Sequence, residues 1–139
     1  MNPKSIAIVV AGLFGFAATP AWSAETCEKA SSQAAINECY DRLAKASDTR
    51  LNHLYGQMLA RLKDPDSQVI RRHLIAAQRA WIVYRDAECA LAVSGSGAGS
   101  AMSMQYSICM EHVTRQRIAD FEQYLNCPEG DLSCTLPPG

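Results

Sequence analysis

The sequence predicts an all-α protein, an antiparallel three-helix, up-down-up bundle stapled by disulfides. Three observations carry this. No long alternation of apolar and polar residues follows the first two dozen positions. Three stretches instead repeat their apolar residues every three or four positions, and all six cysteines lie beyond an apolar leader.

The leader comes first. Lys4 precedes an apolar run from Ile6 to Ala18, then Pro20 and Ala21-Trp22-Ser23. Small residues stand at −3 and −1 if the cut follows Ser23, whereas a cut after Ala24 would put Trp22 at −3. The run is shorter than the roughly 20 residues a permanent span needs. Cys27 follows Ala24-Glu25-Thr26, which lacks the Leu of a lipobox, and no arginine pair marks the leader. Residues 1–23 are therefore expected to be a signal peptide. The mature chain is expected to be soluble, periplasmic or secreted, with no membrane anchor. It divides into a helical domain, 24–126, and an irregular tail, 127–139.

The 116 residues expected after removal of 1–23 support one domain, burying ~65% of the surface that the unfolded chain exposes. Thirteen basic residues stand against fourteen acidic ones. That balance excludes the basic face that nucleic acid requires.

In the first helical stretch Ile36, Tyr40, Leu43, Leu51, Leu54, Met58 and Leu62 follow steps of three or four, with Ser47 filling one gap. The pattern predicts a helix from about Ser31 to Lys63. Asp64-Pro65-Asp66 predicts a break and restart, with Asp64 as cap, Pro65 in the first turn and Asp66 complementing the positive helix end. The second helix carries Ile70, Leu74, Ala77, Trp81, Tyr84, Glu88 and Leu91, almost a heptad seam with one acid in it. Three glycines within Ser94–Ser100 stop it. Ser100 is expected to cap a third helix with Tyr106, Met110, Val113, Arg117, Phe121 and Tyr124 on one face, ending at Asn126-Cys127-Pro128. Short connections then let each apolar stripe cover the other two.

An even number of cysteines in an exported chain reads as disulfides. The glycine-rich turn folds the third helix onto the second, bringing Cys89 beside Cys109. Cys27 can curl back to Cys39, and Cys127 and Cys134 close a small loop in the tail. A swap joining Cys27 or Cys39 to the tail is the alternative. The first two loops, of about 12–20 residues, contribute roughly 3 kcal/mol each in the chain-entropy account. No Cys-x-x-Cys is present, and His53, His73 and His112 are scattered along the chain, so no redox centre, metal or cofactor is expected.

With these positions in hand, the chain resembles the LprI-type lysozyme inhibitor N-terminal domain family. The resemblance rests on Asp48-x-x-Leu51-Asn52-x-x-Tyr55, then Gln78-Arg79-x-Trp81-x-x-Tyr84-Arg85-Asp86-x-x-Cys89, Cys109 and Thr114-x-x-Arg117. Cys27 and Cys39 fit its opening pair, so it covers about residues 27–125. The turn departs from the family's usual shorter Gly-Gly-Ser, and the founding member's lipid anchor is not expected here. The resemblance implies a small exported helical domain and, from the founding member, lysozyme inhibition.

Helical spacing places Gln78, Trp81, Arg85 and Cys89 on one strip. Asp48 and Asn52 lie one turn apart, as do Thr114 and Arg117. We expect a structural polar layer in which Asp48 faces Arg85 or Arg117 while Asn52 and Gln78 complete the hydrogen bonds. Breaking such a buried layer would cost about 3–5 kcal/mol. Catalysis is not expected. Asp48, Asp86 and Glu88 could offer carboxylates for glycoside hydrolysis, but Asp86 and Glu88 are two positions apart on a helix and diverge. A binding role fits better, with a protein partner, possibly a lysozyme. Ser94, Ser96, Gly97, Gly99 and Ser100 form the candidate contact turn, whose hydroxyls and N–H groups suit a groove holding two acids. The competing reading is an envelope module that binds another protein or a cell-wall fragment and inhibits no lysozyme.

Overall fold

Ser32 starts the longest element. Its extended backbone (φ −151°, ψ 156°) lets the side-chain oxygen accept the amide of Ala35 at 3.2 Å, satisfying one orphan donor of the helix that follows. The computed structural model describes residues 24–96, 99–128 and 130–137. The expected signal peptide, 1–23, lies outside them, as does Gly97 of the candidate turn. Four α-helices and no strand occur among the described residues: α1 (Ala24–Glu28), α2 (Gln33–Arg61), α3 (Gln68–Val93) and α4 (Met102–Leu125). The all-helical class is as the sequence predicts. The short α1 is an addition the periodicity did not signal, because one and a half turns are too brief to show a repeat.

Two caps differ from expectation. Asp64 makes no side-chain cap bond; Pro65–Ser67 forms a 3₁₀ turn instead. Arg71 donates to Leu59 O near the end of α2 at 3.1 Å, and Gln68 Nε2 donates to Asp64 O in the connection at 3.0 Å. Ser100 does not cap α4, because Ala101 beyond it already has helical torsions (φ −81°, ψ −11°) and occupies the cap position. The Ser100 carbonyl accepts Asn37 Nδ2 at 2.8 Å, tying the turn to α2.

The main core joins Leu51, Leu54 and Met58 of α2, and Leu62 just past its end, to Leu74 of α3, Phe121 and Leu125 of α4, and Leu136 of the tail. Tyr55 stacks on Phe121 with centroids 6.2 Å apart. Near the starts of α2 and α4, Cys27, Cys39 and Tyr40 form a second cluster against Met104. Coverage among the long helices is unequal. α4 packs along α2 and also against α3, whereas α2 and α3 scarcely meet. Contacts from Asn37 with Ser100 to Arg61 with Leu125 show α2 and α4 running in one direction.

The α3 seam is rotated from its predicted position. Leu74, Gln78 and Cys89 are buried and Trp81 is partly covered, while Ala77, Tyr84, Glu88 and Leu91 are exposed. Cys89 is bridged to Cys109 of α4 (Cα–Cα 5.5 Å), so it faces inward on the same strip as Gln78 and Arg85. Two further bridges join Cys27 to Cys39 and Cys127 to Cys134.

The tail is folded onto the domain. Gly130 takes the positive φ (86°) that favours glycine. Asp131 accepts the hydroxyl and the amide of Ser133, which hold its carboxyl below the ordinary range. The chain then inserts Leu136, 4% exposed, into the main core. Leu136→Ala should therefore lower the unfolding free energy by about 2–4 kcal/mol in urea titration. Leu132→Ala, at a fully exposed neighbour, should change it by less than about 0.5 kcal/mol. Equal losses would show that the tail is not anchored through Leu136.

Tyr40 yields a second test. Burial first, and the Glu28 carboxylate second, raise its phenol above the ordinary value of 10.0. The folded chain thus holds this proton more tightly than the unfolded chain. The contribution is whole below pH 10 and is lost as pH rises through the folded-state value. Tyr40→Phe should flatten the alkaline fall in melting temperature, and an identical fall in both proteins would exclude Tyr40 as its source.

Candidate functional site

The polar residues picked out by spacing meet in two halves joined by one indole. In the first half, Arg85 Nη1 donates to Asp48 Oδ1 at 3.0 Å across the α2–α3 gap. Asn52 donates to the other Asp48 oxygen at 3.1 Å, and Asp86 takes Arg85 Nε at 3.0 Å. In the second half, Arg117 Nε donates to Gln78 Oε1 at 3.4 Å and pairs with Asp120 at 3.5 Å. Trp81 lies between the halves, with Arg85 5.1 Å and Arg117 5.9 Å from its ring centroid, and Arg117 also covers Phe121 at 4.7 Å.

A guanidinium can be drawn into such a setting because its flat faces are weakly hydrated and stack on aromatic rings, while its edge N–H groups remain free to donate. Arg85 and Arg117 are largely covered (11% and 14% exposed), but Asp48 remains 49% exposed. The ion pair is therefore marginal to the core. The loss expected for a fully buried pair falls here to about 1 kcal/mol or less for Asp48.

Between α2 and α3, where they diverge, a cleft of about 400 Å³ opens onto α4. Asp41, Lys45, Asp48 and Thr49 form one wall, Arg85 stands opposite, and Tyr106, Ser107, Met110 and Thr114 form the floor. Three of the six polar-layer residues, Asp48, Arg85 and Thr114, thus share it. Gln78 and Arg117 are paired with each other, and Asn52 is exposed beside Asp48. The periodicity predicts a core position for Tyr106 and does not single out Asp41, Lys45 or Ser107. Asp41 and Lys45 pair at 2.6 Å one turn apart, a pattern that any solvated helix face shows, so the sequence carried no distinct signal for them.

The candidate contact turn lies at the same end. Ser94 donates its hydroxyl to Leu91 O at 2.8 Å, and Ser96 is hydrogen-bonded to Gln105. Ser94, Ser96, Gly99 and Ser100 are exposed. The Cys89–Cys109 bridge closes the chain on either side of the turn. Among the described residues the one grouping with metal-ligand atoms close together is Cys127, Asp131 and Cys134, and both of its sulfurs are committed to a disulfide. No described helix is long and apolar enough to cross a membrane.

Arg117→Ala would strip the faces of Trp81 and Phe121 and leave the buried Gln78 amide without its partner. It should lower the unfolding free energy by about 2 kcal/mol, against about 1 kcal/mol or less for Asp48→Ala. Urea denaturation of the two variants tests this, and a larger loss for Asp48→Ala would place the weight of the layer on the ion pair.

An uncharacterized protein of Rhizobium meliloti (strain 1021) is 34% identical over 112 residues, covering 74% of this chain and 81% of that protein. No solved structure matches the chain. The family described as "Lysozyme inhibitor LprI" matches over residues 24–121, from α1 to Phe121 at the centre of the core. The chain belongs to the lysozyme inhibitor LprI family.

Proposed function

We propose that this protein is exported, loses residues 1–23, and inhibits a lysozyme in the periplasm or outside the cell by direct protein contact through the 94–100 turn. In this reading the rigid unit is an up-down-up arrangement of the three long helices, stapled by the three bridges. The polar layer (Asp48, Asn52, Gln78, Arg85, Thr114, Arg117) supports it structurally, and no residue is catalytic.

Family membership supports the activity. One observation carries the choice of surface: the Cys89–Cys109 bridge pins the base of an exposed Ser/Gly turn, with the two Cα atoms 5.5 Å apart. A turn held at its base loses less conformational entropy on docking than a free one. Glycoside hydrolases of this kind place two carboxyl groups astride the scissile bond. Serine hydroxyls and backbone N–H groups are donors that such acids accept at short range. The near-neutral charge gives little long-range steering, so affinity must come from fit at the groove.

The cleft between α2 and α3 favours a second reading, an envelope module that binds another protein or a cell-wall fragment without inhibiting lysozyme. The two separate in one assay. The purified protein, titrated into muramidase clearing reactions with chicken-type, goose-type and invertebrate-type lysozymes, should abolish at least one activity stoichiometrically. Replacing Ser96 and Ser100 with tryptophan should remove that inhibition while circular dichroism stays unchanged. Full activity of all three enzymes in excess protein would reject inhibition, and undiminished potency of the tryptophan variants would clear the turn.

A further inference from the structure

The face of α3 turned away from α4 carries a second apolar seam that no described residue covers. Val69, Ala76, Ala80, Val83, Ala87 and Ala90 recur at alternating steps of four and three after the first, and all are exposed. Val83 is 70% exposed and Val69 53%. Helical geometry puts this stripe opposite the buried Leu74–Gln78–Cys89 strip. Scattered apolar residues on a surface are ordinary, but a heptad repeat sustained over three turns or more is the pattern of a helix pair.

We propose that α3 pairs antiparallel with α3 of a second copy of this chain, through that seam. The charges beside it select both occupant and direction. Arg79 and Asp86 each stand one position before a seam residue, Ala80 and Ala87, on the same edge of the stripe. When two such helices run antiparallel with Ala80 facing Val83 of the second copy, Ala76 faces its Ala87. In that register Arg79 falls beside Asp86 of the second copy, and the twofold axis repeats the pair. The opposite edge then brings Tyr84 over Ala77 of the other helix. A parallel pair instead sets Arg79 beside Tyr84 and Asp86 beside Leu91, and no opposite charges meet.

Both charges are available. Among the described residues no hydrogen bond or ion pair engages Arg79. Asp86 is 51% exposed and keeps acceptor sites beyond its contact with Arg85. The alanines allow axes to approach to about 8 Å, where small residues interlock. Two helices of this length bury on the order of 1,000 Å² in all, the lower end for specific interfaces, so the dimer is a weak one.

Sedimentation equilibrium on the purified protein tests the proposal. A reversible monomer–dimer equilibrium is expected, with a Kd on the order of micromolar to tens of micromolar. Arg79→Asp should weaken it about tenfold or more by setting like charges together, and Val83→Glu should abolish it. The double exchange Arg79→Asp with Asp86→Arg should restore association to near the original Kd. Circular dichroism melts of each variant separate lost association from lost folding. A monomer at all concentrations up to hundreds of micromolar overturns the proposal. So does a dimer indifferent to Val83→Glu, or one that the double exchange does not restore.

Discussion

The structure depends on the packing of α4 across both other long helices. Phe121 and Leu125 enter the core built from Leu51, Leu54 and Met58 of α2 and Leu62 at its end, and the same core takes in Leu74 and Trp81 of α3. Because α2 and α3 barely touch, each owes its tertiary fixation to this third helix. The unequal sharing leaves a cleft between α2 and α3 on one side and the outer face of α3 uncovered by described residues on the other.

The polar layer makes that packing specific. Apolar stripes slide past one another with modest penalty, whereas Arg117 must reach Gln78, Trp81 and Phe121 together, and Arg85 must reach Asp48 across the gap. Displacing α4 by one turn would leave the largely covered guanidinium of Arg117 without these partners. Net stabilisation from such groups is small, since desolvation offsets most of the electrostatic gain, but the penalty for misalignment is not. The layer therefore governs register more than total stability.

The ends are secured covalently. Cys27–Cys39 and Cys89–Cys109 lie at the end that carries the serine- and glycine-rich turn, and Cys127–Cys134 organises the tail before Leu136 enters the core. Covalent closure suits a small domain whose core alone contributes a modest surplus over chain entropy.

By itself the sequence determined the helical class, the breaks at Pro65 and at the glycine-rich turn, and the apolar faces of α2 and α4. These follow from local chemistry: a repeat of three and four, a fixed proline φ, and the entropy that glycine loses in a helix. Turn spacing alone put Asp48 beside Asn52, as their hydrogen bond shows, whereas the partners of Gln78 and of Arg85 on other helices were not fixed by it. Only the tertiary structure decided the rest. The rotation of α3, with Tyr84 and Leu91 outward and Cys89 inward, comes from what α4 offers it, because two apolar seams coexist on that helix and periodicity cannot rank them. The division of the layer around Trp81, the half-exposure of Asp48, the cleft floored by Tyr106 and Ser107, and the burial of Leu136 all depend on residues distant in the chain. Local pattern records which residues can face inward; long-range packing selects which of them do.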